Sequence, residues 1–75
     1  MNVEVRLFAT FRKGRFKKKN IEVVEENVKV LDLLNKLGIK EDEVALIIVN
    51  GRHSNVDRIM EEGDVLSLFP PVAGG

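Results

Sequence analysis

Val30-Leu31-Asp32-Leu33-Leu34-Asn35-Lys36-Leu37-Gly38 is the stretch that decides the fold. Val30, Leu33, Leu34 and Leu37 fall at i, i+3, i+4 and i+7, so they form one apolar stripe along an α-helix. Asp32, Asn35 and Lys36 lie off that stripe. Gly38 follows the last apolar position, where a left-handed cap favours a residue without a Cβ. The start is less sharply marked: Asn27 is a capping residue by type, whereas Lys29, nearer the stripe, is not. A helix with a single apolar stripe must bury it against another layer.

On either side the period drops to two. Residues 2–9 alternate, with Val3, Val5, Leu7 and Ala9 on one face, which predicts a half-buried strand. Thr10 to Asn20 carries Gly14 and six basic residues and reads as a surface turn. Ile21, Val23 and Glu25 then resume the alternation, as an antiparallel partner of the first strand would. Downstream, Val44-Ala45-Leu46-Ile47-Ile48-Val49 is a continuous apolar run, the pattern of a buried central strand. Asn50-Gly51 marks a turn because both residues tolerate positive φ. Val56 to Met60 reads as irregular, Glu61-Glu62-Gly63-Asp64 as a turn, and Val65 to Phe69 as the last strand.

The order is therefore strand, strand, helix, strand, strand. A hairpin, a right-handed crossover through the helix and a strand returning parallel to an earlier one make a mixed sheet. That is the α+β, β-grasp arrangement: about four strands packed on one helix. The 75 residues are expected to form one domain, 1–75, with a flexible C-terminal tail at 70–75. With 44% hydrophobic and 32% charged residues the profile is that of a folded globule. No apolar run approaches the ~20 residues of a membrane span, and the N-terminus lacks the layout of a signal peptide. The expected location is the cytoplasm. Cysteine is absent, which excludes disulfides, thiolate metal sites and cysteine nucleophiles together.

Formal net charge is zero, yet residues 1–19 carry +6 and the remainder −6. Arg12, Lys13, Arg15, Lys17, Lys18 and Lys19, with Phe11 and Phe16 among them, could bind nucleic acid or an acidic partner. The plainer reading is a solvated loop whose phenylalanines fold back on the core, and it is preferred here. His53, the only histidine, has no ligand cluster around it and reads as a surface turn residue. Glu41 to Glu43 and Glu61, Glu62 and Asp64 lack calcium-loop spacing.

The end of the sequence, Pro70-Pro71-Val72-Ala73-Gly74-Gly75, is more informative. Two prolines directly after a strand remove two backbone donors and hold the emerging chain extended. Ala73, Gly74 and Gly75 then add almost no side-chain bulk, so a stiff stem carries a slender tip suited to a narrow channel. The group delivered there is the carboxylate of Gly75, which becomes an acyl donor only after activation. No phosphate-binding Gly-x-x-x-x-Gly-Lys-Ser/Thr loop is present, so another protein must supply ATP chemistry.

Leu68-Phe69-Pro70-Pro71-Val72-Ala73-Gly74-Gly75 resembles the C-terminus of the MoaD family, the small subunits of molybdopterin synthase. Val5-Arg6-Leu7-Phe8-Ala9 resembles the family's first strand, and Leu31-Asp32-Leu33-Leu34 with Leu37-Gly38 its helix. Ile48-Val49-Asn50-Gly51 and Glu62-Gly63-Asp64-Val65 resemble its later strand and turns. The resemblance implies a ubiquitin-like sulfur carrier without catalytic side chains, cofactor or metal of its own. It implies that a MoeB/ThiF-like enzyme uses ATP to adenylate Gly75, and that a sulfur donor protein converts it to a thiocarboxylate. The tail then enters a MoaE-like large subunit and gives its sulfur to a pyranopterin. On this reading Phe69, Pro70, Pro71 and Val72 pack near the partner, and Ala73 and Gly74 pass the channel. Two alternatives share the tail chemistry: a ThiS-like carrier for thiamine thiazole synthesis, whose tail usually lacks Phe-Pro-Pro, and a ubiquitin-like modifier conjugated through Gly75. A further alternative, of another class, is a binding module with an inert tail. The basic run Arg12–Lys19 is denser than in a typical member.

Overall fold

A computed structural model describes residues 1–71. Its elements are β1 (Asn2–Leu7), β2 (Lys18–Glu22), α1 (Val30–Leu37), β3 (Leu46–Val49), β4 (Arg52–His53) and β5 (Val65–Phe69). The five strands form one sheet in the order β2-β1-β5-β3-β4. β5 runs parallel to β1, whereas β1–β2, β3–β5 and β3–β4 are antiparallel. The mixed β-grasp sheet expected from the pattern is present, with the two-residue β4 as an additional strand.

One face of the sheet and the apolar stripe of α1 make the core. Val3, Val5, Leu7, Val49, Leu66 and Leu68 pack with Val30, Leu33 and Leu34, all at most 2% exposed. Truncating a fully buried leucine such as Leu33 or Leu34 to alanine removes about 2–5 kcal/mol of stability. Phe11 is buried in the same core and Phe16 and Leu37 pack against it, so the phenylalanines of the basic segment fold inward.

The helix starts at Val30 with Lys29 as its N-cap residue, although lysine offers no acceptor for the first-turn N–H groups. Other groups take that role. Val30 N donates to Arg58 O at 2.9 Å and Leu31 N to Val56 O at 3.0 Å. Asp32 and Leu33 donate back to Lys29 O, and the Asp32 carboxylate accepts from Lys29 N at 2.8 Å. The irregular 56–60 segment is thus the N-terminal cap of the helix, supplied in space rather than in sequence. At the other end Gly38 is left-handed, with φ +73°. The Arg15 guanidinium donates to Leu37 O and Gly38 O and to Phe11 O, tying the basic segment to the helix C-terminus.

Three expectations are corrected. The first strand ends at Leu7, because Ala9 turns the chain at φ +53° and leaves the alternation exposed. Pairing of the second strand begins at Lys18, opposite Arg6, so the lysines are partly strand rather than turn. β2 is an edge strand, where lysines discourage pairing with a further chain. Finally, the apolar run 44–49 is strand only over Leu46–Val49: β3 is interior, paired with β5 on one edge and two-residue β4 on the other, but it is not buried on both faces. Ile47 and Val49 face the core while Leu46 and Ile48 remain half-buried on the other side. β5 is the middle strand of the five, flanked by β1 and β3, and β1 and β5 both alternate.

Candidate functional site

β5 lies between β1 and β3, so the strand that carries the tail is paired with β1 as far as Leu68 and with β3 as far as Phe69, its last residue. Leu68 O accepts from Phe8 N at 3.2 Å, and Phe69 O accepts from Ala45 N at 2.9 Å. Pro70 and Pro71, which have no N–H to offer, follow immediately. Pro70 is half-buried and Pro71 exposed. A rigid base for the stem is therefore built by the two neighbouring strands. Val72, Ala73, Gly74 and Gly75, the remaining residues assigned to the tail, lie outside the described residues.

Alternation along β5 sends Leu66 and Leu68 into the core and leaves Val65, Ser67 and Phe69 on the opposite face of the sheet. Cross-strand pairs share a face, so Leu46 lies beside Phe69 and Ile48 beside Ser67. Phe8 continues the parity of Glu4 and Arg6 on β1. Its ring stacks on that of Phe69 with centroids 4.2 Å apart and planes 13° from parallel. Arg12 covers Phe8 from 5.2 Å while its Nε donates to Leu7 O at 2.7 Å. The face away from the helix thus presents an apolar row, Phe8, Phe69, Leu46 and Ile48, at the root of the tail.

Basic groups border this row. Arg6, Phe8, Arg12, Lys17 and Lys18 line a cleft of about 410 Å³. Arg6 pairs with Glu4 through Nε and Oε2. On the other flank of the stem, Thr10, Phe11, Arg15, Glu43, Pro70 and Pro71 line a second cleft of about 540 Å³. His53 is exposed on β4, opposite Ile48. Among the described residues no group of three or more His, Cys, Asp or Glu could hold a metal ion, and no helix is long and apolar enough to cross a membrane.

Of the residues singled out from the sequence, Phe69, Pro70 and Pro71 therefore sit together at the end of β5. Phe8 and Arg12 were missed as parts of this site. Their signal was parity: Phe8 lies out of step with Val3, Val5 and Leu7, as Phe69 does with Leu66 and Leu68, so both rings belong to the face without a helix.

With this geometry, known proteins can be compared. The small archaeal modifier protein 3 of Haloferax volcanii is 32% identical over an alignment of 92 positions that covers all of both chains. A structure described as a putative molybdopterin converting factor, subunit 1, from Pyrococcus furiosus superposes with a TM-score of 0.76 at 32% identity, covering 96% of this chain and 99% of that one. A chain from the protein–protein complex of subunits 1 and 2 of molybdopterin-converting factor from Helicobacter pylori gives a TM-score of 0.66 at 31% identity over all of both chains. The model of the ThiS family matches residues 5–75, from the middle of β1 through the Gly74-Gly75 pair. The chain belongs to the ThiS family, within the MoaD/ThiS group of ubiquitin-like sulfur carriers and small modifiers.

Proposed function

We propose that the chain is a sulfur carrier for molybdopterin-type cofactor synthesis, acting as a protein cosubstrate through Gly75. A carboxylate oxygen of Gly75 attacks the α-phosphorus of ATP on a MoeB/ThiF-like enzyme, and pyrophosphate leaves. The terminal sulfur of a donor protein's persulfide then attacks the acyl carbon and displaces AMP. A thiol cleaves the S–S bond of the resulting acyl disulfide, which leaves the thiocarboxylate on Gly75 and a disulfide between the two thiols. The tail next enters a MoaE-like large subunit and delivers that sulfur. The chain's own residues supply no acid or base in these steps. β5 holds the stem in register, Phe69 and Phe8 give the partner an apolar surface, and Pro70 and Pro71 stiffen the stem.

The observation that carries this reading is the family match running through Gly74-Gly75, ending six residues beyond a strand end held by β1 at Leu68 and by β3 at Phe69. Resemblance to subunit 1 of molybdopterin converting factors favours a pterin acceptor over a thiazole. The test is ATP–pyrophosphate exchange with a MoeB-like enzyme of the same organism. Exchange should require this chain and Gly75, and replacing Gly74 with tryptophan should suppress it by blocking passage. Exchange unaffected by either change would refute the proposal.

A second reading, a protein modifier joined to lysines through Gly75, is favoured by the relative named a small archaeal modifier protein. It shares the adenylation step. Gly75-linked lysine adducts in the cell, without thiocarboxylate, would establish it in place of sulfur transfer.

A further inference from the structure

We infer that the cleft lined by Arg6, Phe8, Arg12, Lys17 and Lys18 docks an acidic surface of the activating enzyme, carboxylates standing beside the channel that receives the tail. The inference rests on the proposed function and adds the chemistry by which the partner is recognised.

Four observations carry it. The cleft gathers four cationic side chains and no acidic one lines it. Among the described residues Lys17 and Lys18 make no ion pair; the three pairs present are Arg6–Glu4, Lys36–Glu25 and Arg58–Asp64. The segment 1–19 that supplies these cations carries a net +6, while the rest of the chain carries −6. A partner of matching sign would orient the carrier as it approaches, since complementary fields act mainly on encounter and register. Lastly, the cleft adjoins the tail: Phe8 lines it and stacks on Phe69, the residue from which the stem departs.

The same geometry disfavours a nucleic acid. Single strands are held by cations together with an exposed aromatic face on which bases stack. Here one face of Phe8 is covered by Phe69 and Arg12 lies over the ring as well. Phe11 is buried, and Phe16 packs on the core with Lys19 above it. The cleft offers charge without a stacking platform, which suits side-chain carboxylates.

The test uses the full chain and a MoeB-like enzyme of the same organism, following adenylation at low and at moderate salt. The double variant Lys17→Glu, Lys18→Glu should raise the KM for the carrier by roughly tenfold, leave kcat unchanged and lose most of the salt dependence. Arg52→Glu, an equal change of sign per residue on exposed β4, should leave KM within about twofold, as expected of a charge outside the interface. Circular dichroism and a melting curve check that each variant is folded. A double variant with wild-type KM, or an Arg52→Glu effect as large, would overturn the inference while the proposed function stands. A wild-type chain that is not adenylated at all would remove both. Tight binding of a fluorescent single-stranded RNA that the double variant loses, with adenylation unaltered, would overturn it in favour of nucleic acid.

Discussion

Asp64 shows how much one buried side chain can hold. At 6% exposure it accepts from Asn50 Nδ2 at 2.8 Å, Arg58 Nη2 at 3.1 Å and Glu61 N at 2.8 Å. Asn50 Oδ1 in turn accepts from Val65 N at 2.9 Å, so the turn after β3, the helix-capping segment and the start of β5 meet at one carboxylate. Asp64→Ala strands those donors and should cost about 2–4 kcal/mol, read from urea unfolding. A loss within the scatter of surface substitutions would mean that the network is not what fixes β5. Phe8→Ala is the functional counterpart. Stacked aromatic pairs contribute about 0.5–1.5 kcal/mol beyond burial, so stability should fall modestly. Affinity for a MoaE-like subunit, measured by calorimetry, should drop by roughly tenfold or more if Phe8 anchors the contact. Wild-type affinity would place the contact elsewhere. Neither role could be assigned from residue type alone. Asp64 looked like one more acid in a turn, and its burial depends on partners 14 and 6 positions away.

At the scale of elements, the helix was legible because its information is local: the stripe Val30, Leu33, Leu34 and Leu37 and the glycine behind it sit within nine residues. Its N-terminus was not, because the acceptors for Val30 and Leu31 come from Arg58 and Val56. The burial of β3 departs from the sequence pattern for a related reason. A continuous apolar run signals burial on two faces, yet Leu46 and Ile48 lie on the face away from the helix and are only half-buried. Strand order is a property of the sheet that no single strand's composition encodes. The loop between β2 and α1 makes a further test. Glu25 Oε2 accepts from Lys36 Nζ at 2.9 Å. That hydrogen bond, with smaller contributions from backbone N–H groups and the lysine charge, holds the Glu25 carboxyl below its ordinary range. The sign follows from a lowered folded value. The pair's contribution is complete above the ordinary glutamate value of about 4.3 and is lost as pH falls through the lowered one. Glu25 is exposed, so the contribution is small and screened by salt. Carboxyl NMR titration should show Glu25 returning to the ordinary range in Lys36→Met; no change on substitution would contradict the pairing.

For the whole molecule, folding and chemistry occupy separate parts of the chain. Among the described residues the last member of the core is Leu68, and the family's reacting group lies beyond the prolines. Deleting Gly75 should therefore leave the melting temperature within about a degree, because glycine has no side chain to contribute to a core, and abolish adenylation. A truncated chain that unfolds would show that the tail is part of the fold. This division also explains what the sequence revealed of the site: the tail motif is contiguous and was readable, while the surface that presents it is assembled from β1, β3, β5 and the basic segment. The most direct test of sulfur carriage is the intact mass of the chain after incubation with a MoeB-like enzyme, ATP and a sulfur donor. The account predicts exchange of one terminal oxygen for sulfur, absent without ATP and absent when Gly75 is deleted. An unchanged mass with a cognate, active enzyme would contradict it.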